Sequence, residues 1–312
     1  MPPSRPQILP GSAKVVLCAG IAVQDIVFRV ERFPQPGGKC MTHEFIVVAG
    51  GCAVNAAIAV ARLGGRAHYT GPLGDMNDAV SNQLMAEMAR EGIDTAGVVR
   101  VPGATAPVSS IMVDASGERM IVTHRDPRIE TALAPPADAV VSGIDLLLAD
   151  NRFPDYVRPI CEAARRRGIP VVLDADRPTV EDDPLFAIPT HVIFSSECLR
   201  VTTGLDDLSA GLHRMAPRTA AFLAVSDGAG AVRYLDGGTV RAMPVFKIDA
   251  VDTLAAGDVF HAGIALALAE GRDAVTAMRF GAAAAGLKCT RFGGSAGAPK
   301  RDEVDAFLAE QS

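Results

Sequence analysis

Apolar and polar positions along this chain follow two different rhythms. Short apolar runs at 15–19, 67–70, 146–150, 171–174, 191–194 and 222–225 have the length of buried strands. Between them, alanine-rich stretches with helical spacing fall at 54–63, 79–91, 155–167, 208–215, 259–270 and 273–287. Strands that alternate with helices predict right-handed parallel crossovers. The expected fold is therefore α/β: a doubly wound, mainly parallel sheet with helices on both faces and ligands at the carboxyl ends of its strands.

Two stretches break this rhythm. Residues 26–48 and 105–124 alternate with period two around turns at 34–38 and 115–117, with no helical run inside them. Ser109, Ile111 and Val113, answered by Met120 and Val122 after a Ser-Gly turn, predict a hairpin. These segments read as a small antiparallel β-sheet projecting from the α/β body. A sheet of that kind needs something against its open face, so a lid over a site, a dimer contact, or both, is expected.

Composition narrows the class. The chain is 49% hydrophobic, enough for a large core, and residues 13–312 read as one α/β domain with 1–12 as a disordered leader. Thirty-six acids against 30 bases give a net charge of −6, which argues against a nucleic-acid or anionic-membrane partner. No apolar run reaches the ~20 residues of a membrane span. Cys18, Cys40, Cys52, Cys161, Cys198 and Cys289 show no metal-ligand spacing and read as reduced thiols of a cytoplasmic protein.

The candidate chemistry begins at Asp252-Thr253-Leu254-Ala255-Ala256-Gly257-Asp258, directly before the apolar run at 259–269. Small residues at a helix start let a phosphate approach first-turn N–H groups, and Asp258 beside them can accept a proton from an attacking hydroxyl. An ordinary capped helix would look similar. A second segment, Gly50-Gly51-Cys52-Ala53-Val54-Asn55, joins a strand to a helix. Its glycines permit close approach by a ligand, and Asn55 offers both donor and acceptor to a hydroxyl.

With both segments in place, the chain resembles the ribokinase, or phosphofructokinase-B, family of sugar kinases. The matching pieces are Gly50-Gly51 to Gly74-Asp75 and Asp252 to Asp258 with its helix. The resemblance implies an ATP- and Mg²⁺-dependent kinase acting on a sugar or nucleoside hydroxyl. It makes Asp258 the general base and gives the Ala255, Ala256 and Gly257 backbone the anion hole. It places Asp25, Gly50, Gly51 and Asn55 on the sugar, and Ser226, Gly228 and Gly230 in the nucleotide loop. Asp252 and the 293–295 loop resemble the region of a monovalent cation such as K⁺. Two departures stand out. Ala255 replaces a commoner glycine, and the family's Asn-x-x-Glu falls on Ser195-Ser196-Glu197-Cys198, so no metal ligand is carried over there.

Within the family, Phe246 to Asp249, Asp258 to His261, Leu287 to Arg291, Ser110 to Arg119 and Leu148 to Arg152 are similar to the sulfofructose kinase-like group. That likeness implies an anionic ketose, 6-deoxy-6-sulfofructose or a sugar phosphate, with Lys39, Arg152 and Thr123 on its charged tail. A turn lysine in solvent and an Arg152–Asp155 surface pair are the plainer readings. A kinase for a neutral sugar, a nucleoside or 2-keto-3-deoxygluconate, and a sugar-binding protein without catalysis, stay open. A homodimer through the lid is expected. Two other classes fail on spacing. Gly228-x-Gly230 lacks the third glycine of a dinucleotide fingerprint and runs into a hairpin pattern, and Leu287 stands where a P-loop after Gly281 to Gly286 needs lysine.

Overall fold

The computed structural model describes residues 13–311; the expected leader at 1–12 lies outside them. In chain order the elements begin β1 (Val15–Ala19), β2 (Val23–Arg29), β3 (Glu44–Gly50), α1 (Cys52–Arg62) and β4 (Arg66–Thr70). Next come β5 (Pro72–Leu73), α2 (Ala79–Arg90), β6 (Val99–Arg100), β7 (Val108–Val113), β8 (Arg119–His124) and α3 (Ala137–Val140). The middle of the chain holds β9 (Leu146–Asp150), α4 (Pro154–Arg166), β10 (Val171–Ala175), β11 (His191–Ser195), α5 (Ser196–Thr203) and α6 (Leu208–Met215). The last are β12 (Phe222–Ser226), β13 (Val232–Asp236), β14 (Thr239–Met243), α7 (Ala256–Ala269), α8 (Ala274–Cys289) and α9 (Arg301–Glu310).

The main sheet has the order β14-β13-β12-β11-β10-β9-β1-β4. From β4 to β12 all neighbours are parallel, and the β13–β14 hairpin closes one edge antiparallel. Every residue of β1, β9 and β10 is buried, because helices cover both faces. The two-residue period divides each strand between two cores. Leu146 and Leu148 pack with α1, α7 and α8, while Leu147 and Ala149 pack with α4, α5 and α6. The predicted hairpin after Gly230 is the β13–β14 pair, turning at Gly237-Gly238 with positive φ at both. The glycines of 281–286 lie inside α8. A Cβ on Gly281 would stand 2.5 Å from the Phe260 carbonyl oxygen, so that glycine serves the close crossing of α7 and α8.

Helix ends account for most boundary shifts. α7 begins at Ala256, ahead of the first apolar position at Val259, because its opening residues are small rather than hydrophobic. α8 runs on to Cys289 and so takes in Lys288. α5, absent from the sequence reading, starts where the Ser195 hydroxyl accepts the Cys198 N–H at 3.2 Å. α9, in which charged and apolar residues are evenly mixed and Val304 is buried, was also missed.

The smaller sheet has the order β3-β2-β7-β8. Its two antiparallel pairs are joined through a parallel β2–β7 pairing, and 30–43 forms a long loop in which no strand is assigned. Register decides what each face presents. Ile46, Val27, Ile111 and Ile121 form one row toward the body, and Val48, Asp25, Ser109 and Thr123 form the next. Phe45, Phe28, Met112 and Met120 form a row on the opposite, outer face.

Candidate active site

The carboxyl ends of β9, β10, β11 and β12, the start of α7 and the inner face of the small sheet enclose a cavity of about 750 Å³. Its floor at α7 is set by backbone conformation. Ala255 has φ 62° and ψ 9° and is the one non-glycine with positive φ among the described residues. That left-handed residue turns the chain so that α7 opens toward the cavity. The N–H groups of Gly257 and Asp258 precede the first helical bond, Val259 N–H to the Ala255 carbonyl at 3.0 Å. Ala256 N–H turns back to the Thr253 carbonyl at 3.2 Å. A Cβ on Gly257 would meet nothing within 4 Å, so the backbone there faces open space of the kind a phosphate can enter.

Asp258 stands on this first turn, and its Oδ2 accepts the Asn55 Nδ2–H at 2.7 Å. Burial and the Asp176 charge push the Asp258 carboxyl up to about 6, against hydrogen bonds from Asn55 and Cys52 and the charge of Arg152. Asn55 Oδ1 is buried without a hydrogen-bond partner, so the site holds an acceptor in need of a donor. Asp25 arrives from β2 in register with Ser109 and Thr123, whose hydroxyls lie 2.9 Å apart. Burial and the Asp258 charge push its carboxyl up to about 7, with a Ser109 hydrogen bond opposing. A Cβ on Gly50 would fall 2.0 Å from Asp25 Oδ2, and one on Gly51, at φ 87°, 2.6 Å from the Ile21 carbonyl oxygen. These two glycines are what allow the turn into α1 to pass so close to Asp25 and the Ile21 carbonyl.

Acids at the strand ends were not singled out by the sequence reading, although their position at carboxyl termini of parallel strands was a usable signal. Asp150 accepts Ile21 N–H at 2.8 Å and Arg152 N–H at 2.9 Å, and burial pushes it up to about 6. Asp174 is held well above the usual carboxylate range by burial and by the charges of Asp176, Asp258 and Asp150. Its carboxylate, that of Asp258 and the Cys52 thiol have ligand atoms within 4.8 Å of one another. Carboxylates that raise one another's pKa are relieved by a cation, and hard oxygen donors suit Mg²⁺. Of these three the Asp174 and Asp258 carboxylates fit that ion; the Cys52 thiol, pushed up by burial, does not.

Arg152 lines the cavity from the end of β9, but its partner is Asp176, not Asp155, which pairs with Arg158. Thr123, Arg119 and Arg125 also line it. Arg119 donates to the Thr253 hydroxyl at 2.9 Å, and Arg125 pairs with Glu130 at 2.7 Å. Ser226 reaches the rim, whereas Gly228 and Gly230 lie in the turn beyond it, where Gly230 N–H meets the Asp227 carbonyl at 2.7 Å. Lys39 is not brought in; it is exposed in the 30–43 loop, beside Arg32 and His43. Glu197 is exposed and does not line the cavity. His261 is buried, with Nδ1 at 2.7 Å from the Gly257 carbonyl oxygen and Nε2 at 3.3 Å from that of Ile193.

Asp252 does not leave room for a free monovalent cation. Its carbonyl oxygen takes the Lys288 ammonium at 2.7 Å, and its Oδ2 lies 3.2 Å from the same nitrogen. Both side chains are fully buried.

A parallel α/β sheet whose strand ends, helix start and β lid converge on one carboxylate defines the class. Residues 13–301 match the model of the pfkB family carbohydrate kinases, and the chain belongs to that family. It is an ATP-dependent sugar kinase of this fold. Ribokinase of Bacillus subtilis is 27% identical over 93% of this chain and 98% of its own. The ATP-dependent ribose-1-phosphate kinase of Halopiger xanaduensis is 30% identical over 95% and 98%. The solved structure of a ribokinase candidate from Agrobacterium tumefaciens is 36% identical, covers 96% of this chain and 99% of its own, and superposes with a TM-score of 0.90. No helix among the described residues is long and apolar enough to cross a membrane.

Proposed function

We propose that this kinase transfers the γ-phosphoryl group of ATP to a hydroxyl of a small anionic ketose, a 6-deoxy-6-sulfofructose-like sugar or a sugar phosphate, with Asp258 as the general base. The observation that carries the reading is the Asp258–Asn55 pair facing the first turn of α7, inside a cavity that also holds Arg152, Arg119 and Arg125. The unpartnered Asn55 Oδ1 and the Asp25 carboxylate receive sugar hydroxyls. The sugar so held presents one hydroxyl to Asp258, which takes its proton as the phosphoryl group transfers in line. Backbone N–H groups of Ala255, Gly257 and Asp258 stabilise charge on the transferring oxygens, while that of Ala256 is spent on the Thr253 carbonyl. ATP lies toward Ser226 and the turn containing Gly228 and Gly230. Asp174, beside Asp258, would hold Mg²⁺, and the ion would neutralise phosphate charge. Arg152 and Thr123 hold the anionic tail, and Lys39 joins them when the 30–43 loop folds over the cavity. The Halopiger relative is named for a phosphorylated sugar, which supports an anionic substrate.

A neutral sugar is the second reading, favoured by one observation: Arg152, Arg119 and Arg125 each already have a partner within the chain. The Bacillus ribokinase is in keeping with it. The deciding measurement is ATP-coupled phosphorylation across 6-deoxy-6-sulfofructose, fructose 6-phosphate, tagatose 6-phosphate, 2-keto-3-deoxygluconate, fructose, ribose and adenosine, with wild type and Arg152→Ala. For an anionic sugar the substitution raises KM by roughly 10²-fold and leaves KM for a neutral sugar nearly unchanged. Equal effects on both, or a wild-type preference for ribose or fructose, remove the anionic-pocket reading and leave the kinase. The outer face of the small sheet pairs with a second copy, and six free thiols accord with a cytoplasmic setting.

A further inference from the structure

The ribokinase-like resemblance places a monovalent cation beside Asp252, and the structure places a lysine there instead. We propose that the Lys288 ammonium is a tethered replacement for that cation, so that this kinase holds its anion hole in shape without K⁺. The inference rests on the reading of 255–258 as the phosphate-binding turn and extends it to what keeps that turn in place.

Three backbone N–H groups and one ammonium converge on the oxygens of Asp252. Its Oδ1 accepts Leu254 N–H at 2.8 Å, and its Oδ2 accepts Gly293 N–H at 2.9 Å and Gly294 N–H at 3.1 Å. Its carbonyl oxygen, at 2.7 Å, takes the Lys288 ammonium, which also lies 3.2 Å from Oδ2. A buried carboxylate with N–H donors alone would carry uncompensated charge in a dry interior, and a cation beside it removes that cost. A carbonyl oxygen and a carboxylate oxygen sharing one positive centre are the donors a small monovalent ion takes, and an ammonium is of similar size and charge. Here the cation comes from the last turn of α8, adjacent to Cys289, whose carbonyl accepts Val251 N–H at 2.7 Å and Asp252 N–H at 3.1 Å.

The cluster bears on catalysis through backbone geometry. Asp252 fixes Leu254, Leu254 precedes the left-handed Ala255, and Ala255 aims the first turn of α7. Lys288 is thus a positioning residue, remote from the reacting atoms. An unpaired Asp252 would let this turn shift, and a displacement of the order of 1 Å at a phosphate-binding turn costs about 10²-fold in rate.

The test compares cations on wild type, Lys288→Met and Lys288→Ala, at constant ionic strength, in choline, Na⁺, K⁺, NH₄⁺ and methylammonium chlorides. Wild-type kcat and the melting temperature of the ligand-free protein are expected to be the same in choline and in K⁺. Lys288→Ala is expected to lose about 10²-fold in kcat in choline. K⁺, NH₄⁺ or methylammonium, but not choline, should restore part of that loss and raise the melting temperature of the variant. A wild-type enzyme activated or stabilised by K⁺ overturns the proposal even if neither variant folds. So does a folded Lys288→Met enzyme with full activity in choline. Loss of activity in a folded Lys288→Ala that no cation restores also overturns it, because a purely packing role would behave in that way. Melting does not depend on turnover, so a wrong sugar assignment leaves this arm intact.

Discussion

Ala255 sits in a conformation that disfavours every side chain, because its Cβ crowds the following carbonyl. A strained non-glycine residue next to a helix start belongs where backbone direction matters more than local comfort. Ala255→Gly is expected to hold or raise the unfolding free energy, by up to about 1 kcal/mol, although glycine normally loosens a chain. Ala255→Val should lower it by roughly 2 kcal/mol and reduce kcat; paired urea melts and rates decide. Asp258 carries a different prediction. Asp258→Asn should lower kcat by about 10³-fold or more while calorimetric sugar and ATP binding persist. Only the ionised carboxylate accepts a proton, and its pKa is raised to about 6, so wild-type kcat should fall as pH drops through that value. Turnover of the asparagine variant near wild type would remove the base assignment. Asp258 and Asn55 were singled out only by the two segments taken together with the family resemblance, since either segment alone also fits an ordinary capped helix or strand-to-helix turn. The unpartnered Asn55 Oδ1 was not readable, because it depends on which way the amide is turned by Asp258.

At the scale of elements, the β7–β8 hairpin is fastened to the peptide that leads into α7. Arg119 donates to the Thr253 hydroxyl at 2.9 Å, and that hydroxyl reaches the Gly117 carbonyl oxygen at 3.1 Å. Leu254 packs with Val27, Val48, Ile111 and Val113 of the small sheet. The small sheet and the turn into α7 are therefore mechanically joined. Arg119→Ala should lower kcat/KM for the sugar roughly tenfold and raise ATP hydrolysis per sugar phosphorylated, because water gains access to the transferring group. An unchanged ratio of hydrolysis to transfer would show that Arg119 serves only the surface. Period-two alternation revealed these strands, yet not their pairing. The parallel contact between β2 and β7 unites segments far apart in the chain, and only that register sets Asp25 beside Ser109 and Thr123.

For the molecule as a whole, the outer face of the small sheet is conspicuously apolar. Phe45 is 63% exposed, Met120 43% and Val122 68%, and Phe45 stacks on Phe28. Pairing of two such faces predicts a dimer by analytical ultracentrifugation, and Phe45→Glu with Val122→Glu should yield monomers. A wild-type monomer at micromolar concentration would refute the pairing. Hydrophobic period, glycine placement and small residues before an acid settled much from sequence alone: the α/β architecture, the lid and the helix start that carries Asp258. These are local consequences of spacing, which a linear pattern preserves. Tertiary structure alone decided the rest, because burial and partner choice join residues distant in sequence. It paired Arg152 with Asp176, left Lys39 outside the cavity, and gathered Asp150, Asp174 and Asp176 at adjoining strand ends. It also turned Lys288, a lone lysine in an alanine-rich helix, inward onto Asp252, where a charge can reside only because its counter-charge is folded against it.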